Sequence, residues 1–331
     1  FCLALSVLLV PVESPWLLVI FFTCLIAYSL GSGLAGLVFM AMLQRVIPPR
    51  RRGAFFAQRM FWGGLLALGA SSAVGVLLGQ PDGLHFPLNF ALMFAISFVA
   101  FVLTVATWAL IKEPPEEVSP ERVHWRVQVK RGIQILRENT PYRTFVMARI
   151  CLMLAQLAMP FYIVYAKDVL NVPARMAGVY LTARTASSIV SNLLWGRISD
   201  RQGNRCLIRI TNCVGLAIPL LALSVGVLGG LMPSLLPWLA YIFTLVFVAS
   251  GSYGMGSAIA NMNYLLDIAP PQQRALYVGF SNTLFGLAVL VSSLGGIIVD
   301  WAGFAAVMIL AAGLYVVAIL LSFAMIEPRC T

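Results

Sequence analysis

The stretch GRISDRQGNR, residues 196–205, decides the fold of this chain, because it joins two long apolar runs through a short charged segment. Gly203 permits a left-handed turn, and Gly196 permits close helix packing. Asp200 can face a helix N-terminus as a counter-charge. The stretch therefore predicts two membrane helices that are joined by a tight, charged hinge.

The apolar runs on either side belong to a long series. The chain has 331 residues, of which 60% are hydrophobic and 10% charged, and its mean hydropathy is +0.92. Soluble domains are about 45–50% apolar and about 25% charged, whereas a membrane-spanning helix needs ~20 apolar residues. This composition excludes disordered, collagen-like and disulfide-framework proteins and predicts an all-α, polytopic membrane protein. The predicted spans are a partial one at 1–11 and full ones at 15–46, 54–79, 86–112, 142–165, 174–196, 205–230, 235–267, 273–299 and 302–326.

The positive charge is distributed unevenly between the two sides of these spans. Eighteen of the 22 Lys and Arg residues lie on the side that carries 196–205, which places that side in the cytoplasm. The net charge of +10 therefore reports topology, and a nucleic-acid partner is not expected. The six cysteines form no CxxC pair and neither histidine has ligand-spaced partners, so we expect no metal site and no cofactor. We expect the bacterial inner membrane as the location.

One long polar segment, 113–141, divides the chain into a first bundle at 1–112 and a second at 142–331. It begins as a proline-broken linker. Its second half then places Trp125, Val129, Ile133 and Leu136 at helical spacing among basic residues. This pattern predicts an amphipathic helix on the anionic inner leaflet. A solvated linker helix is the alternative.

An internal repeat relates the two bundles. Residues 48–68 (PPRRRGAFFAQRMFWGGLLAL) align with 270–290 (PPQQRALYVGFSNTLFGLAVL) at an offset of 222, and both copies begin on the cytoplasmic side. Parallel repeats of this kind are typical of transporters built from two bundles related by an axis along the membrane normal.

The hinge segment resembles the loop signature G-x-x-x-D-R-x-G-R-R of the major facilitator superfamily. The matching residues are Gly196, Asp200, Arg201, Gly203 and Arg205, and Asn204 stands where the family usually has Arg. The resemblance implies two six-helix bundles, of which this chain would hold the third to the twelfth helices. The repeat offset places the first-bundle twin of 196–205 about twenty residues before Phe1, so we expect an N-terminally truncated transporter. In the family this loop packs against the fifth helix, which predicts a contact of Asp200 with Arg59 or with amides near Ala54. Alternatively, Arg59 reaches the inner membrane surface by itself.

Polar side chains inside the spans are candidates for a substrate site, since charges at membrane depth are costly and usually functional. Arg184 lies near the middle of its span. One stripe at i+4 spacing contains Tyr180, Arg184, Ser188 and Asn192. The alternative is a buried structural cluster around Arg184.

Further candidates come from the spans that line the central cavity in the family. They are Arg149 and Gln156 on 142–165, then Tyr253, Ser257, Asn261 and Tyr264 on 235–267, and more weakly Tyr28 and Ser32 on 15–46. Arg149 could instead extend to the cytoplasmic surface.

These residues predict a secondary active or facilitative transporter of a small solute, acting by alternating access and as a monomer. Two cationic residues near the cavity favour an anionic or carboxylate-bearing substrate. No carboxylate lies at mid-membrane in the sequence, so coupling to a proton stays open. No catalytic constellation is present, and we expect no enzymatic activity. The alternatives are a transporter-like sensor or scaffold, and a multi-spanning membrane enzyme.

Overall fold

The computed structural model describes residues 2–11, 14–46, 49–79, 86–111, 125–173, 176–292 and 294–327, and the regular structure in these ranges is helical throughout. Three short 3-10 segments occupy Gln156–Ala158, Pro233–Leu235 and Pro271–Gln273. The α-helices, in chain order, are α1 Cys2–Leu9, α2 Pro15–Val46, α3 Pro49–Gly79, α4 Leu88–Ala109, α5 Trp125–Glu138, α6 Thr140–Ala155, α7 Phe161–Asp168, α8 Met176–Gln202, α9 Asn204–Leu231, α10 Leu236–Ile242, α11 Thr244–Ile268, α12 Arg274–Ser292 and α13 Gly295–Phe323.

Several of these helices are long and apolar enough to cross a membrane. Among the described residues, five stretches meet both criteria: Leu88–Ala109, Thr140–Asp168, Asn204–Leu231, Pro233–Ile268 and Gly295–Phe323. Many of their large apolar side chains are exposed, including Leu231 and Trp301, as expected for a protein whose solvent is lipid. The all-α membrane architecture predicted from composition is confirmed.

The chain divides into two compact units, Phe1–Pro120 and Glu121–Thr331. In the first unit, α1 packs against α2 and α4. In the second unit, α11 packs against α8 and α9, while α13 packs against α6 and α9. Residues 113–124 of the predicted linker lie outside the described ranges, and its helix α5 packs on α6 and α12 within the second unit.

The second unit has two apolar clusters. One cluster contains Phe145, Leu207 and Tyr264 and lies toward the helix ends that the hinge 196–205 joins; we call it the cytoplasmic cluster after the predicted orientation. The other contains Leu152 and Phe247 and occupies the opposite half. Helices α6, α8, α9 and α11 contribute side chains to both clusters.

Two predicted spans are interrupted rather than continuous. The span predicted at 142–165 ends as an α-helix at Ala155, passes through the 3-10 segment, and resumes as α7 at Phe161. Pro160 precedes this restart, where its missing N–H removes an interior hydrogen bond. The span predicted at 235–267 is likewise divided into α10 and α11. Local 3-10-type hydrogen bonds bridge both breaks, from Met159 N–H to the Gln156 carbonyl and from Val246 N–H to the Phe243 carbonyl, each at 3.0 Å.

The boundary predicted at 299–302 lies beside a break in the structure. Gly303 is non-helical, with φ 78° and ψ 174°, so α13 consists of two helical segments that meet there. A further turn, at Leu294, precedes the start of α13 at Gly295 and interrupts the span predicted at 273–299. The apolar sequence continues through this turn, so hydropathy does not reveal it.

Candidate functional site

Arg149 forms a polar centre inside the second unit. Its Nη1 donates a hydrogen bond of 2.8 Å to the Ser257 hydroxyl. The Asn261 amide nitrogen donates to the Ser257 carbonyl at 2.6 Å and lies 3.1 Å from the Ser257 hydroxyl. The guanidinium carbon also lies 5.9 Å from the centroid of the Phe285 ring. Side chains of α6, α11 and α12 therefore converge on one cation.

This centre lies between the two apolar clusters. Along α6, Arg149 falls between Ala148 of the cytoplasmic cluster and Leu152 of the outer cluster. It is about 14 Å along the helix from the start of α6 at a rise of 1.5 Å per residue. Ser257 occupies the corresponding place on α11, between Tyr253 and Ala260. The cation thus lies well inside the unit.

Two tyrosines adjoin the centre on its outer side. The rings of Tyr253 and Tyr315 are edge-to-face, with centroids 5.4 Å apart. Gly215 of α9 makes room for both, since a Cβ at this position would overlap the Tyr315 ring and lie 2.9 Å from Tyr253 Cε2.

α9 contributes a buried amide at a similar level. Asn212 is 0% exposed, and neither its Oδ1 nor its Nδ2 has a hydrogen-bond partner among the described residues. It precedes Gly215 by three residues and so shares a helix face with it. A buried amide without partners costs about 1–3 kcal/mol, so this position suits a polar ligand. Sequence reasoning missed it, although the Thr211-Asn212 pair interrupts an otherwise apolar run.

The charge of this centre is uncompensated by protein carboxylates in the described part of the chain. Arg149 hydrogen-bonds a hydroxyl there and has no ion-pair partner. The same residues contain no group of three or more His, Cys, Asp or Glu side chains that could hold a metal ion. A half-buried cation beside hydroxyls and amides suits an anion far better than another cation. We call Arg149, Asn212, Tyr253, Ser257 and Asn261 the Arg149 centre.

The stripe predicted on α8 does not share one environment. Tyr180 is buried, donates a 2.9 Å hydrogen bond to the Ala240 carbonyl and stacks on Phe247. Arg184 is exposed. Ser188 donates to the Thr185 carbonyl of its own helix, and Asn192 is half-buried. Tyr180 therefore stabilises the outer apolar cluster, whereas Arg184 stands apart from Tyr253 and Asn261, which are buried.

Other predicted residues lie outside the Arg149 centre. Gln156 is exposed at the break after α6, with its Nε2 3.7 Å from Met153 Sδ. Tyr264 donates to the Ile326 carbonyl at 2.9 Å and belongs to the cytoplasmic cluster. Tyr28 and Ser32 are exposed on α2 in the first unit, where the Tyr28 ring lies 6.4 Å from that of Phe101.

Close packing of α8 against α11 is produced by glycines of α11. A Cβ at Gly251 would overlap the Arg184 carbonyl oxygen, and one at Gly256 would lie 2.9 Å from Trp195 Nε1. Trp195 also donates to the Ser252 carbonyl at 2.9 Å. Gly196 takes no part in this contact, because a Cβ there would meet no described atom within 4 Å, and its role in close helix packing stays a prediction. The glycines that this contact requires, Gly251 and Gly256, therefore lie on α11.

The hinge itself has the backbone that its glycine predicts. Gly203 adopts φ 83° and ψ 165° between α8 and α9. The Glu327 carboxylate fills the space beside it, with Cδ 2.8 Å from the position a Cβ would take. Glu327 Oε2 accepts a 3.1 Å hydrogen bond from the Arg205 backbone N–H in the first turn of α9. The counter-charge at this helix N-terminus is thus Glu327 rather than Asp200, which is exposed.

Asn204 explains why this hinge departs from the usual Arg. It is 0% exposed and lies within 2.6 Å of both Ser199 Oγ and Asp267 Oδ2. Asn263 donates to the same Ser199 hydroxyl at 3.3 Å. A neutral amide can bridge a hydroxyl and a carboxylate in this small space, and the bridge joins α8, α9 and α11 at their cytoplasmic ends.

The remaining hinge residues have simple surroundings. Arg205 Nη2 donates to the Phe323 carbonyl at 3.0 Å, and Arg201 is exposed. In the first unit, the Arg59 guanidinium lies 4.8 Å from the centroid of the Phe39 ring. Asp200 and Arg59 belong to different units, and the contact expected between them stays a prediction.

Comparison with known proteins gives a consistent family. A sequence model of the Major Facilitator Superfamily matches residues 1–266 and, in a second match, 150–329. A bacterial homologue of the iron transporter ferroportin, crystallised in an inward-facing state, is 15% identical with a TM-score of 0.63, and the match covers 94% of this chain and 73% of the other. A bacterial metal transporter has the same identity and TM-score, with coverage of 97% and 81%. No curated protein matches significantly.

Proposed function

Because this chain belongs to the major facilitator superfamily and is an integral membrane transporter, we propose that it carries a small anionic or carboxylate-bearing solute by alternating access. Transport is secondary active or facilitative in this proposal, the protein acts as a monomer in the bacterial inner membrane, and no enzymatic step is involved.

The observation that carries the proposal is the half-buried guanidinium of Arg149, which has no ion-pair partner among the described residues of the chain. A charge withdrawn from water without a counter-ion is unfavourable unless a ligand compensates it. The Ser257 hydroxyl accepts a 2.8 Å hydrogen bond from the guanidinium, and the Asn261 amide donates to the Ser257 carbonyl at 2.6 Å. Fixed donors around a cation match the oxygen atoms of a carboxylate or a phosphate.

The interrupted helices support the same location. The break between α6 and α7 begins seven residues after Arg149, at Gln156. Irregular backbone at membrane depth is tolerated where it is buried in protein or lines a cavity. Gln156 is exposed at this break and can contact a solute that reaches Arg149.

A divalent cation is the second candidate substrate, because both structural relatives are described as metal transporters. Identity of 15% to each relates the folds alone. The described residues hold no cluster of metal-ligating acids, thiols or imidazoles, and Arg149 would repel a cation. The anionic substrate is therefore the better supported of the two.

Ligand-induced thermal stabilisation of the purified chain in detergent tests the proposal. The panel contains succinate, citrate, lactate and inorganic phosphate, with glucose and glycerol as neutral solutes and Mn²⁺, Co²⁺ and Fe²⁺ as cations. At least one anion should raise the melting temperature of the wild type, and Arg149→Gln should abolish that rise. Lys167→Gln, which removes an exposed positive charge from the same unit, should leave the rise intact.

Each alternative has its own result. Stabilisation by a divalent cation that survives in Arg149→Gln would replace the anionic proposal with metal transport. An anion response that disappears in Arg184→Gln as well would add the exposed Arg184 to the site, as the sequence predicts. Stabilisation without transport in proteoliposomes would favour a transporter-like sensor.

A further inference from the structure

A groove of about 810 Å³ separates α5 from α12. Leu276, Phe280, Leu284 and Leu287 of α12 form its apolar floor, and Val129 and Ile133 of α5 form its wall. Gln128, Arg131, Gln272 and Gln273 line its polar end. We call this the linker groove; all of its residues belong to the second unit.

One face of α5 is fixed on α12 by close contacts. A Cβ at Gly132 would overlap the Phe280 ring, so this helix crossing requires glycine. Just beyond α5, Asn139 Nδ2 donates to Tyr277 Oη at 3.2 Å. The Tyr142 and Ser281 hydroxyls lie 2.8 Å apart. These contacts pack α5 and the residues that follow it against α12 within the second unit.

The edge of α5 beside this crossing keeps apolar side chains exposed. Val129 is 40% exposed and Ile133 is 41% exposed, although both are large and apolar. On the facing helix, Leu287 is 57% exposed. Exposed apolar side chains that face one another across a groove mark a surface that another apolar molecule covers.

The charge at one end of the linker groove indicates which kind of molecule fits it. The basic loops place α5 on the cytoplasmic side, and Lys130 and Arg131 are exposed there. α12 leads away from this end as the apolar helix Leu276–Val291. A nearby acid, Glu138, accepts a 2.9 Å hydrogen bond from Gln134 and borders an adjoining hollow that shares Arg131, Gln273 and Leu276 with the groove. The linker groove thus has a cationic, amide-lined end at the membrane surface and an apolar trough that extends into the membrane.

We propose that the linker groove binds one anionic phospholipid of the cytoplasmic leaflet. The phosphate lies at Arg131 with the glutamine amides as donors, and an acyl chain covers Leu276, Leu284 and Leu287. Basic side chains near an anionic leaflet attract lipid headgroups, and an acyl chain gains from each methylene it buries. The bound lipid holds the linker helix on α12 and so stabilises the second unit.

Lipid titration of the purified chain in detergent tests this. The readouts are the melting temperature and the number of lipids retained in native mass spectrometry, with dioleoyl-phosphatidylglycerol compared with dioleoyl-phosphatidylcholine. Phosphatidylglycerol should stabilise the wild type more and be retained with a stoichiometry of one. Arg131→Gln should weaken its apparent affinity about fivefold, the effect of one basic residue near an anionic surface. Arg137→Gln removes the same charge from the same helix outside the groove and should change little.

A second pair of variants tests the apolar trough. Gly279 lines the groove and Gly286 lies one heptad further along α12, and a Cβ at either position would meet no described atom within 4 Å. Gly279→Phe should abolish retention of phosphatidylglycerol, whereas Gly286→Phe should not. Melting curves without lipid verify that both variants fold.

Four results would overturn the proposal. Equal losses in Arg131→Gln and Arg137→Gln would indicate general attraction to a basic surface. Equal stabilisation by phosphatidylcholine would remove the need for an anionic headgroup. Equal stabilisation by inorganic phosphate or glycerol 3-phosphate would indicate a free-phosphate site. Unchanged lipid retention in Gly279→Phe would place the acyl chain elsewhere.

Discussion

Replacing Gly203 by alanine tests the hinge between α8 and α9. At φ 83° and ψ 165°, Gly203 occupies a backbone region that is essentially restricted to glycine. A Cβ there would also lie 2.8 Å from Cδ and Oε2 of Glu327. The alanine must therefore either change the hinge backbone or displace the carboxylate from the start of α9.

Both consequences have a free-energy cost that can be worked out. A non-glycine residue in this backbone region costs about 1–3 kcal/mol. Displacing Glu327 removes a hydrogen bond to the Arg205 N–H, and loss of a helix cap typically costs about 0.5–2 kcal/mol. We expect Gly203→Ala to destabilise the second unit by about 2–4 kcal/mol, which lowers the melting temperature of a unit of this size by roughly 5–15 °C.

The assay is thermal unfolding in detergent, monitored by tryptophan fluorescence. Gly196→Ala is the matched control, because it introduces the same methyl group in the same segment where no described atom lies within 4 Å. It should melt at the wild-type temperature or up to about 4 °C higher, since alanine is favoured over glycine inside a helix by ~1 kcal/mol. Equal melting temperatures for Gly203→Ala and the wild type would refute the role of the positive φ and of the Glu327 cap.

Three further predictions use the same measurement. Gly251→Ala should destabilise by about 1–3 kcal/mol through overlap with the backbone carbonyl of α8, whereas Gly254→Ala, which has open space, should not. Arg149→Met should keep or raise the melting temperature while abolishing anion stabilisation, since a well-packed apolar replacement of a buried charge is often neutral or stabilising; a large drop would mean a structural role. Asn204→Ala should cost about 1–3 kcal/mol by leaving Asp267 and Ser199 without their bridge, and an unchanged melting curve would contradict this.

Sequence patterns predicted the structural features that depend on neighbouring residues alone. The helix Trp125–Glu138 follows from its spaced apolar residues, and the positive φ of Gly203 follows from a glycine between two apolar runs. Breaks and turns inside apolar sequence were harder to predict, because hydropathy does not change at them. The span predicted at 142–165 passes through Pro160 without a change in hydropathy, yet the helix is interrupted there. Which side of α5 is buried depends on Phe280, a residue far along the chain.

The candidate site was predicted in part, because its contacts join distant segments. Arg149 and Ser257 were both candidates, but the hydrogen bond between them spans 108 residues of sequence and required the fold. Helical spacing placed Tyr180 and Arg184 on one stripe. It could not indicate that Tyr180 is buried and donates a hydrogen bond to the Ala240 carbonyl. Asn212 and Glu327 were not predicted, because a single amide or a single acid forms no recognisable motif in the sequence.

The measurement closest to the central claim is transport of a radiolabelled anion into proteoliposomes. The substrate is the anion that most raises the melting temperature, and the proteins are wild type, Arg149→Met and Lys167→Gln. Wild type and Lys167→Gln should show saturable uptake that unlabelled anion competes with, and Arg149→Met should show only the leak of empty liposomes. Saturable uptake by Arg149→Met at the wild-type rate, or uptake of a divalent cation in place of the anion, would contradict the assignment of Arg149 as the anion-binding residue of this transporter.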